Sequence, residues 1–278
     1  MEKTKFVFVI LVYRNYKDLE ECIQSIQEKV SSFKIIVVNA FFDEESHDNI
    51  KSICDKNNCS FIEIENKGYS YGNNRGIEIA NSNFDYEYLI VSNPDIVIKE
   101  FDETHLEGLD KCSIIASKIT AADGRAQNPL SSKRSKTSED LTYKGLVKGK
   151  KLLFMLGIAI NKLHRNWFLL FSKKKIKTVY AAHGSFVIMS KAAIEGLNSH
   201  PYDENMFLFA EESVLAEKAR QLNIPTYYFP YFSIYHKEDG SMKLAEISVN
   251  KELIKSNIYF YENYVLKDKT KKQNKNAK

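Results

Sequence analysis

One aspartate directly follows an apolar run in the first third of the chain. Residues 88–91 are typical of a buried strand, and Pro94 and Asp95 come three and four residues later. Proline ends such a strand, and open α/β folds bind ligands at the carboxyl edge of their sheet. Asp95 is therefore the first candidate functional residue.

Apolar runs and helix-like repeats alternate ahead of this aspartate. Residues spaced as on one helix face lie between the runs, as at 19–26 and 50–54. This alternation predicts a doubly wound, mainly parallel sheet whose strand-end loops meet in one crevice. The predicted strands lie near 6–12, 35–38, 61–64 and 88–92.

Three glycines follow the third predicted strand. Gly68, Gly72 and Gly76 recur every fourth residue, which is not the GxGxxG spacing of dinucleotide-binding enzymes, and that motif would follow the first strand. A Rossmann dehydrogenase is therefore rejected. The chain also has no GxxxxGK[ST] phosphate loop. The glycines are equally consistent with a loop and helix start that need close backbone approach.

Composition restricts the class of protein. With 278 residues and 44% hydrophobic content, the chain can bury one large core. Its four cysteines form no CxxC pair, which argues against a zinc site or a disulfide framework. No signal peptide is recognised, and the apolar run 152–160 is too short to cross a bilayer. We expect a cytoplasmic protein.

Taken together, the strand-end loops resemble the inverting glycosyltransferases of family 2, and most closely a rhamnosyltransferase-like branch that builds bacterial surface polysaccharides. Residues 66–76 are similar to the family's NxGxxxGNNxG loop, and 93–95 lie where it carries a DXD-type metal motif. The resemblance covers 5–130 and 180–242. It implies an α/β fold of the GT-A nucleotide-sugar-binding type, with a mainly parallel central sheet.

The resemblance also implies a donor site and a metal site. A divalent cation, Mg²⁺ or Mn²⁺, would bridge Asp95 and the diphosphate of a UDP- or dTDP-sugar, with His236 as a second ligand. A lone aspartate after a strand is otherwise a common turn residue, and a lone histidine is often structural. The implied donor-binding residues are Tyr13, Asn39, Asn66, Gly72, Asn74, Asn93 and Asp95.

Residues 201–212 resemble the family segment FDExFFxxxED, whose final acid is the catalytic base. Glu212 is then the predicted base, with Glu211 orienting it or binding the acceptor, and Gly184 and Ser185 as acceptor-binding residues. Alternatively, the two acids only begin an amphipathic helix, where carboxylates favour the helix dipole.

Two departures from the family pattern keep rival functions open. Asn39 stands where the family usually has Asp, and Glu212 replaces the usual Asp of the base. A catalytically inactive relative that binds a nucleotide sugar or a partner protein is therefore the main alternative. A nucleotidyltransferase would show a glycine-rich basic loop after the first strand, which residues 13–16 do not resemble.

A basic, apolar insert separates the two matching regions. Residues 133–177 contain 13 Lys and Arg against two acids, and lysines flank apolar helical runs with one tryptophan. This pattern is typical of a helix at a membrane interface, so we expect an anionic membrane surface as a partner. An ordinary pair of scaffold helices is the alternative. Nucleic-acid binding is not expected, because the segment is too rich in aliphatic residues.

The prediction is thus a GT-A domain over 1–242 with a helical insert at about 139–177. A C-terminal helix over 243–266 and a disordered lysine-rich tail over 267–278 follow. The predicted protein is a metal-dependent inverting glycosyltransferase, peripheral at the inner face of the cell membrane. Its acceptor would be a glycan or a polyprenol-linked precursor of a surface polysaccharide such as a capsule.

Overall fold

The structure is a computed structural model that describes residues 1–172, 175–238 and 249–268. Within these ranges, nine strands form one sheet. The strands are β1 (Glu2–Val12), β2 (Phe33–Ala40), β3 (Ser60–Ile64), β4 (Phe84–Ser92), β5 (Ile96–Phe101), β6 (Ile114–Ala121), β7 (Lys177–Val179), β8 (Phe186–Ser190) and β9 (Thr226–His236).

Helices cover both faces of this sheet and its edges. They are α1 (Tyr16–Lys29), α2 (Glu44–Lys56), α3 (Tyr69–Asn83), α4 (Lys136–Val147), α5 (Lys151–Ser172), α6 (Lys191–Gly196), α7 (Glu211–Gln221) and α8 (Val249–Phe260). A 3₁₀ helix spans Glu103–Gly108, and a π-helical stretch, Tyr261–Leu266, continues α8.

The strand order across the sheet is β3-β2-β1-β4-β8-β6-β9-β5, with β7 paired to β9. The first four strands are mutually parallel, as the alternation of strands and helices predicted. β8 then enters antiparallel between β4 and β6, while β9 is parallel to β6 and antiparallel to β5. The predicted α/β class is confirmed.

The continuous apolar run of β1 is explained by burial on both faces. Phe6 and Phe8 point into a core layer shared with α1, whereas Val7 and Val9 point into the opposite layer, shared with α3. A strand covered on two sides needs apolar residues at successive positions rather than in alternation. Because β1 to β4 are parallel, their carboxyl ends lie along the same edge of the sheet.

The start of α3 differs from the sequence expectation. The segment with Gly68, Gly72 and Gly76 is expected to be a loop that leads into a helix, and the helix already begins at Tyr69. A Cβ on Gly72 would lie 2.4 Å from Leu11 Cδ1, so the glycine lets α3 pack closely on β1. Gly72 therefore serves the packing of this helix on the sheet.

The insert forms a helical hairpin of α4 and α5. Gly157 lets the two helices approach, since a Cβ there would lie 2.4 Å from Thr142 Oγ1. The hydroxyl of Ser138 on α4 donates to the carbonyl of Gly157 at 2.7 Å. Among the described helices, none has the length and hydropathy required to cross a bilayer.

The C-terminal helix packs behind the loop that precedes α7. The Tyr259 and Tyr264 hydroxyls both donate to Asp203 Oδ2, at 3.1 and 2.6 Å, and the Ser256 hydroxyl donates to the Leu208 carbonyl at 2.7 Å. These bonds brace residues 203–210 from outside. Of the tail predicted as disordered, only residues 267 and 268 are described, and the rest lies outside the described residues.

Candidate active site

A cavity of about 450 Å³ opens at the carboxyl edge of the parallel strands. Asp95 and Glu212, the two acids given the central roles from sequence, share this cavity. The other predicted site residues in its wall are Tyr13, Asn66, Asn93, Gly184, Ser185, Glu211 and His236. Residues far apart in sequence thus meet around one space large enough for a small-molecule ligand.

Asp95 and His236 are brought together by strand pairing. Asp95 lies in the turn between β4 and β5, and the antiparallel register of β5 with β9 sets Ile96 opposite His236. His236 Nε2 lies 3.3 Å from Asp95 Oδ1, and both side chains are buried. The predicted metal ligands are therefore adjacent.

Gln127 controls how His236 faces Asp95. The Gln127 side-chain nitrogen donates to Glu238 Oε1 at 2.7 Å, so its oxygen is turned toward His236 Nδ1, 2.8 Å away. Because an amide oxygen can only accept, Nδ1 carries the hydrogen in this assignment. In a neutral imidazole with this hydrogen on Nδ1, the lone pair is on Nε2, the atom that faces Asp95.

This arrangement fits a divalent cation. Asp95 Oδ1 is buried and has no hydrogen-bond partner among the described residues, so two electron-pair donors face one another. Two adjacent ligands of an octahedral ion, each at about 2.1 Å, lie about 3 Å apart. In the described part of the chain, no group of three His, Cys, Asp or Glu side chains is close enough together to hold a metal ion by itself. A bound substrate and water would therefore supply the remaining ligands.

His183 stands beside this pair and was given no role from sequence. Its ring centroid is 5.8 Å from that of His236, and the Ser185 N–H donates to its Nδ1 at 3.2 Å. Burial, with a contribution from His236, lowers the pKa of His183 to about 4. His183 is therefore neutral at physiological pH and can donate a hydrogen bond into the cavity from Nε2.

The wall of the same cavity also carries two neighbouring carboxylates. Glu211 and Glu212 begin α7, and Glu212 Oε1 accepts the N–H of Gly184 at 3.2 Å. Glu211 is 4% exposed, and its Oε1 has no hydrogen-bond partner among the described residues. Neither acid has a cationic partner in the ion pairs of the described chain.

Burial of these two acids raises their pKa values. Burial, and next the charge of Glu212, raise the pKa of Glu211 from its usual 4.5 to about 8. Burial also raises the pKa of Glu212. Two interacting carboxyl groups release their protons in two steps that belong to the pair. Near neutral pH the pair therefore retains a proton.

The backbone ahead of these acids is held in an unusual conformation. Phe209 and Ala210 both have left-handed φ angles, 71° and 65°, which cost energy in residues with a Cβ. Gly68 packs against this loop with φ 103°, and a Cβ there would lie 2.3 Å from the carbonyl oxygen of Phe207. That same oxygen accepts the N–H of Tyr69 at 2.9 Å. The start of α3 thus fixes the entry into α7.

Tyr69 contacts Gly184, the predicted acceptor-binding residue that also binds Glu212. Its hydroxyl donates to the Gly184 carbonyl at 2.8 Å, while the Gly184 N–H is bound by Glu212. A Cβ at Gly184 would lie 2.9 Å from Glu212 Oε1, so only glycine leaves room for this contact. Sequence reasoning did not single out Tyr69, although it follows the Asn66–Gly68 motif directly.

Three predicted donor-binding residues are not part of the cavity wall. Gly72 packs on β1, and Asn74 is fully buried, where its amide donates to the Tyr202 carbonyl at 3.0 Å and to Glu204 Oε1 at 2.9 Å. Both fall on the inner face of α3 because that helix starts earlier than expected. They can affect a ligand through the loops they hold.

Asn39, at the end of β2, is the third of these residues. It is completely buried, and its side-chain nitrogen donates to Glu63 Oε2 at 3.0 Å. Its side-chain oxygen has no partner within the described chain. Its neighbour Ala40 does line the cavity, so Asn39 lies just behind the wall.

The cavity wall therefore holds two pairs of side chains with different chemistry. Asp95 and His236 can hold a cation against a negatively charged group, and Glu211 and Glu212 can receive a proton. A ligand between them would have negative charge stabilised at one end while a hydroxyl group is deprotonated at the other.

Comparisons with known proteins bear on this geometry. Residues 7–195 match the sequence profile described as Glycosyl transferase family 2. Among curated proteins, the low-salt glycan biosynthesis hexosyltransferase Agl10 of Haloferax volcanii is 26% identical over 228 residues. That match covers 81% of this chain and 65% of Agl10, so the chain spans just under two thirds of this relative.

Solved structures share the fold at low sequence identity. GalNAc-T7 with UDP, GalNAc and Mn²⁺ superimposes with a TM-score of 0.60 and 12% identity, over 93% of this chain and 48% of that one. S. aureus TarS 1–349 in complex with UDP-GlcNAc gives a TM-score of 0.50 and 14% identity, over 88% and 62% of the respective chains. These likenesses show the fold.

Proposed function

The chain belongs to glycosyltransferase family 2, and we propose that it transfers a sugar from a nucleoside-diphosphate donor to a glycan acceptor. The observation that carries this proposal is that one cavity is lined both by Asp95 with His236 and by Glu211 with Glu212. The donor would be a UDP- or dTDP-sugar, and fold neighbours solved with UDP and UDP-GlcNAc support the first of these.

The donor diphosphate would bind at the Asp95 end. When bound there, Mg²⁺ or Mn²⁺ would neutralise charge on the departing diphosphate. Asp95 and His236 would hold the cation, with Gln127 keeping the imidazole lone pair in place. His183, neutral and adjacent, would donate a hydrogen bond to phosphate oxygens. Tyr13, Asn66 and Asn93, from three strand-end loops, would contact the rest of the donor.

The acceptor would be activated at the Glu212 end. Glu212 would take the proton of the attacking hydroxyl, while the Gly184 N–H keeps its carboxylate in position. Glu211 is its neighbour at the start of α7, and burial raises the pKa of both acids, which favours proton uptake by this pair. Attack from the face opposite the diphosphate would invert the anomeric configuration, and Ser185 would contact the acceptor.

The finer assignments extend this proposal. We place residues 1–242 in the transferase domain, with the α4–α5 hairpin as an insert. The enzyme would be of the rhamnosyltransferase-like type and extend a polyprenol-linked precursor of a bacterial surface polysaccharide, such as a capsule. A relative named for glycan biosynthesis supports a glycan acceptor.

A catalytically inactive, nucleotide-sugar-binding protein is the second candidate. The orphaned oxygen of buried Asn39 favours it, because that residue departs from the family pattern and is tied to Glu63 behind the wall. Binding of a sugar nucleotide with no transfer to any acceptor and no hydrolysis, in the presence of Mn²⁺, would support this alternative.

The proposal is tested by screening sugar nucleotides for thermal stabilisation with and without Mn²⁺. A ligand at 100 times its Kd stabilises the folded state by about 2.7 kcal/mol, which raises the Tm of a chain of this size by several degrees. We expect a UDP- or dTDP-sugar to stabilise the protein only when Mn²⁺ is present, and to be hydrolysed slowly. Stabilisation by nucleoside triphosphates alone would instead favour a nucleotidyltransferase.

A further inference from the structure

One face of α5 is apolar and exposed along its whole length. Its side chains are between 45% and 71% exposed, which is unusual for large apolar residues in so regular an array. They recur at intervals of three, four or seven residues and so lie on one side of the helix. This surface, the α5 ridge, consists of Leu152, Leu156, Leu163, Trp167 and Leu170.

The opposite face of α5 is fixed to the protein, so the ridge cannot turn inward. Phe168 packs edge-on against Tyr228 of β9, at 5.6 Å between ring centroids. Asn161 donates to the Leu130 carbonyl at 3.2 Å and accepts from the Ser131 hydroxyl at 2.8 Å. With Gly157 pressed against α4, three contacts along the helix hold the ridge outward.

The charge around the ridge has one sign. Lys148, Lys150, Lys151 and Lys162 are exposed beside it, and the stretch 141–194 contains no Asp or Glu. Two copies of α5 packed ridge to ridge would therefore bring lysines together with no acid on this helix to pair with them. The partner that complements this surface is apolar inside and negatively charged outside.

We propose that the α5 ridge docks the protein onto a bilayer containing anionic lipids, with α5 lying in the plane of the interface. The apolar side chains enter the boundary of the acyl chains while the flanking lysines contact lipid phosphates. Trp167 has the amphipathic ring that is enriched at this depth. The helix lies on the membrane, since no described helix can span one.

The protein carries its own probe for this contact, because Trp167 is its single tryptophan. Vesicles of phosphatidylcholine, with or without roughly one quarter phosphatidylglycerol, are titrated into the full chain without any sugar nucleotide. We expect a blue shift of Trp167 emission and co-sedimentation with the anionic vesicles, both weakened by salt. The same measurements with neutral vesicles should show binding at least about tenfold weaker.

Matched variants distinguish binding through the α5 ridge from nonspecific binding by other exposed apolar or basic residues. Leu163→Ser with Leu170→Ser should weaken vesicle binding by about tenfold or more, since each removes an exposed apolar side chain that would enter the bilayer. Leu222→Ser, at an exposed leucine at the end of α7, should bind like the wild type. Changing Lys148, Lys150 and Lys151 to Gln should weaken binding, whereas changing the exposed Lys29, Lys51 and Lys111 to Gln should have little effect.

Two outcomes would overturn the proposal. One is a wild-type protein that ignores anionic vesicles by both measurements. The other is a Trp167 blue shift that grows with protein concentration without lipid, together with a dimeric mass in solution, which would assign the ridge to a second copy. Since no donor is present, failure here leaves the thermal screen with sugar nucleotides unaffected.

Discussion

The cavity wall holds carboxylates in two different environments: Asp95 lies beside a histidine, whereas Glu211 and Glu212 lie beside each other in the chain. Asp95 faces the lone pair of His236, which is held in place through Gln127 by Glu238. Glu211 and Glu212 are consecutive at the start of α7, neither forms an ion pair with another described residue, and burial raises the pKa of both. The first environment suits an acid that binds a cation, and the second suits an acid that exchanges a proton.

This difference shows that the role of an acid is set by its neighbours. All three side chains carry the same functional group at the wall of one cavity. Environments that push pKa values apart are how enzymes obtain different functions from identical carboxyl groups. Substitutions at Glu212 should therefore affect the transfer rate, whereas substitutions around Asp95 and His236 should affect cation binding.

The largest effect is expected at Glu212. Glu212→Gln removes the proton acceptor but keeps the size of the side chain, so transfer should fall by about 10²- to 10⁴-fold while donor affinity changes little. Steady-state transfer rates and donor binding check this. The control is Glu107→Gln, an exposed acid on the 3₁₀ helix, which should leave both unchanged. Full transfer activity in Glu212→Gln would show that the base lies elsewhere.

The next effect is expected at Gln127, on the cation end. Gln127→Met keeps the volume but removes the acceptor for His236 Nδ1 and the bond to Glu238. Mn²⁺ affinity in the presence of UDP should fall by about 10- to 100-fold, because the imidazole is no longer oriented. Titration calorimetry measures this, with Gln24→Met on the exposed side of α1 as the control. Unchanged Mn²⁺ affinity would make the Gln127 contact merely structural.

The pH dependence of transfer sharpens the comparison further. Glu212 acts only when ionised, and burial raises its pKa, so the rate should rise with pH as Glu212 loses its proton. Glu211→Gln removes the neighbouring charge and should move this rise to lower pH. The profile of kcat/KM against pH for wild type and variant checks the shift. A rise at the same pH in both would mean that the two carboxyl groups are not coupled.

The smallest effect is expected in stability. The pKa of Glu211 is raised from 4.5 to about 8 in the folded state, so the folded state holds this proton more tightly than the unfolded chain. That contribution is complete below pH 4.5 and is lost as pH rises through 8. Relative to wild type, Glu211→Gln should gain upward of about 1 kcal/mol between these limits. Urea unfolding at several pH values measures it, and a constant difference would contradict the assignment.

The parallel half of the sheet was predictable from local sequence. Apolar runs at 6–12, 35–38, 61–64 and 88–92 correspond to β1 to β4. β1, β2 and β4 lie inside the sheet and are continuous apolar segments because both faces are covered, whereas β3 at the edge is only partly buried. The position of Asp95 just beyond the fourth run also follows from that pattern. Its place at the cavity is consequently predictable from the order of apolar and polar residues alone.

The remaining features depend on contacts between distant segments. The insertion of β8 between β4 and β6 leaves no periodic signal, and the contact of Gln127 with His236 joins residues 109 positions apart. The early start of α3 was missed for a related reason. Gly72 reads locally as a loop residue, whereas its value lies in packing on Leu11 of another element.

The central claim is that one end of the cavity binds the cation and diphosphate while the other only handles the proton. The most direct test is calorimetric titration of UDP, in the presence of Mn²⁺, into Asp95→Asn and Glu212→Gln. Binding should be lost in Asp95→Asn and preserved in Glu212→Gln. Equal binding by both variants, or loss confined to Glu212→Gln, would contradict this division of roles.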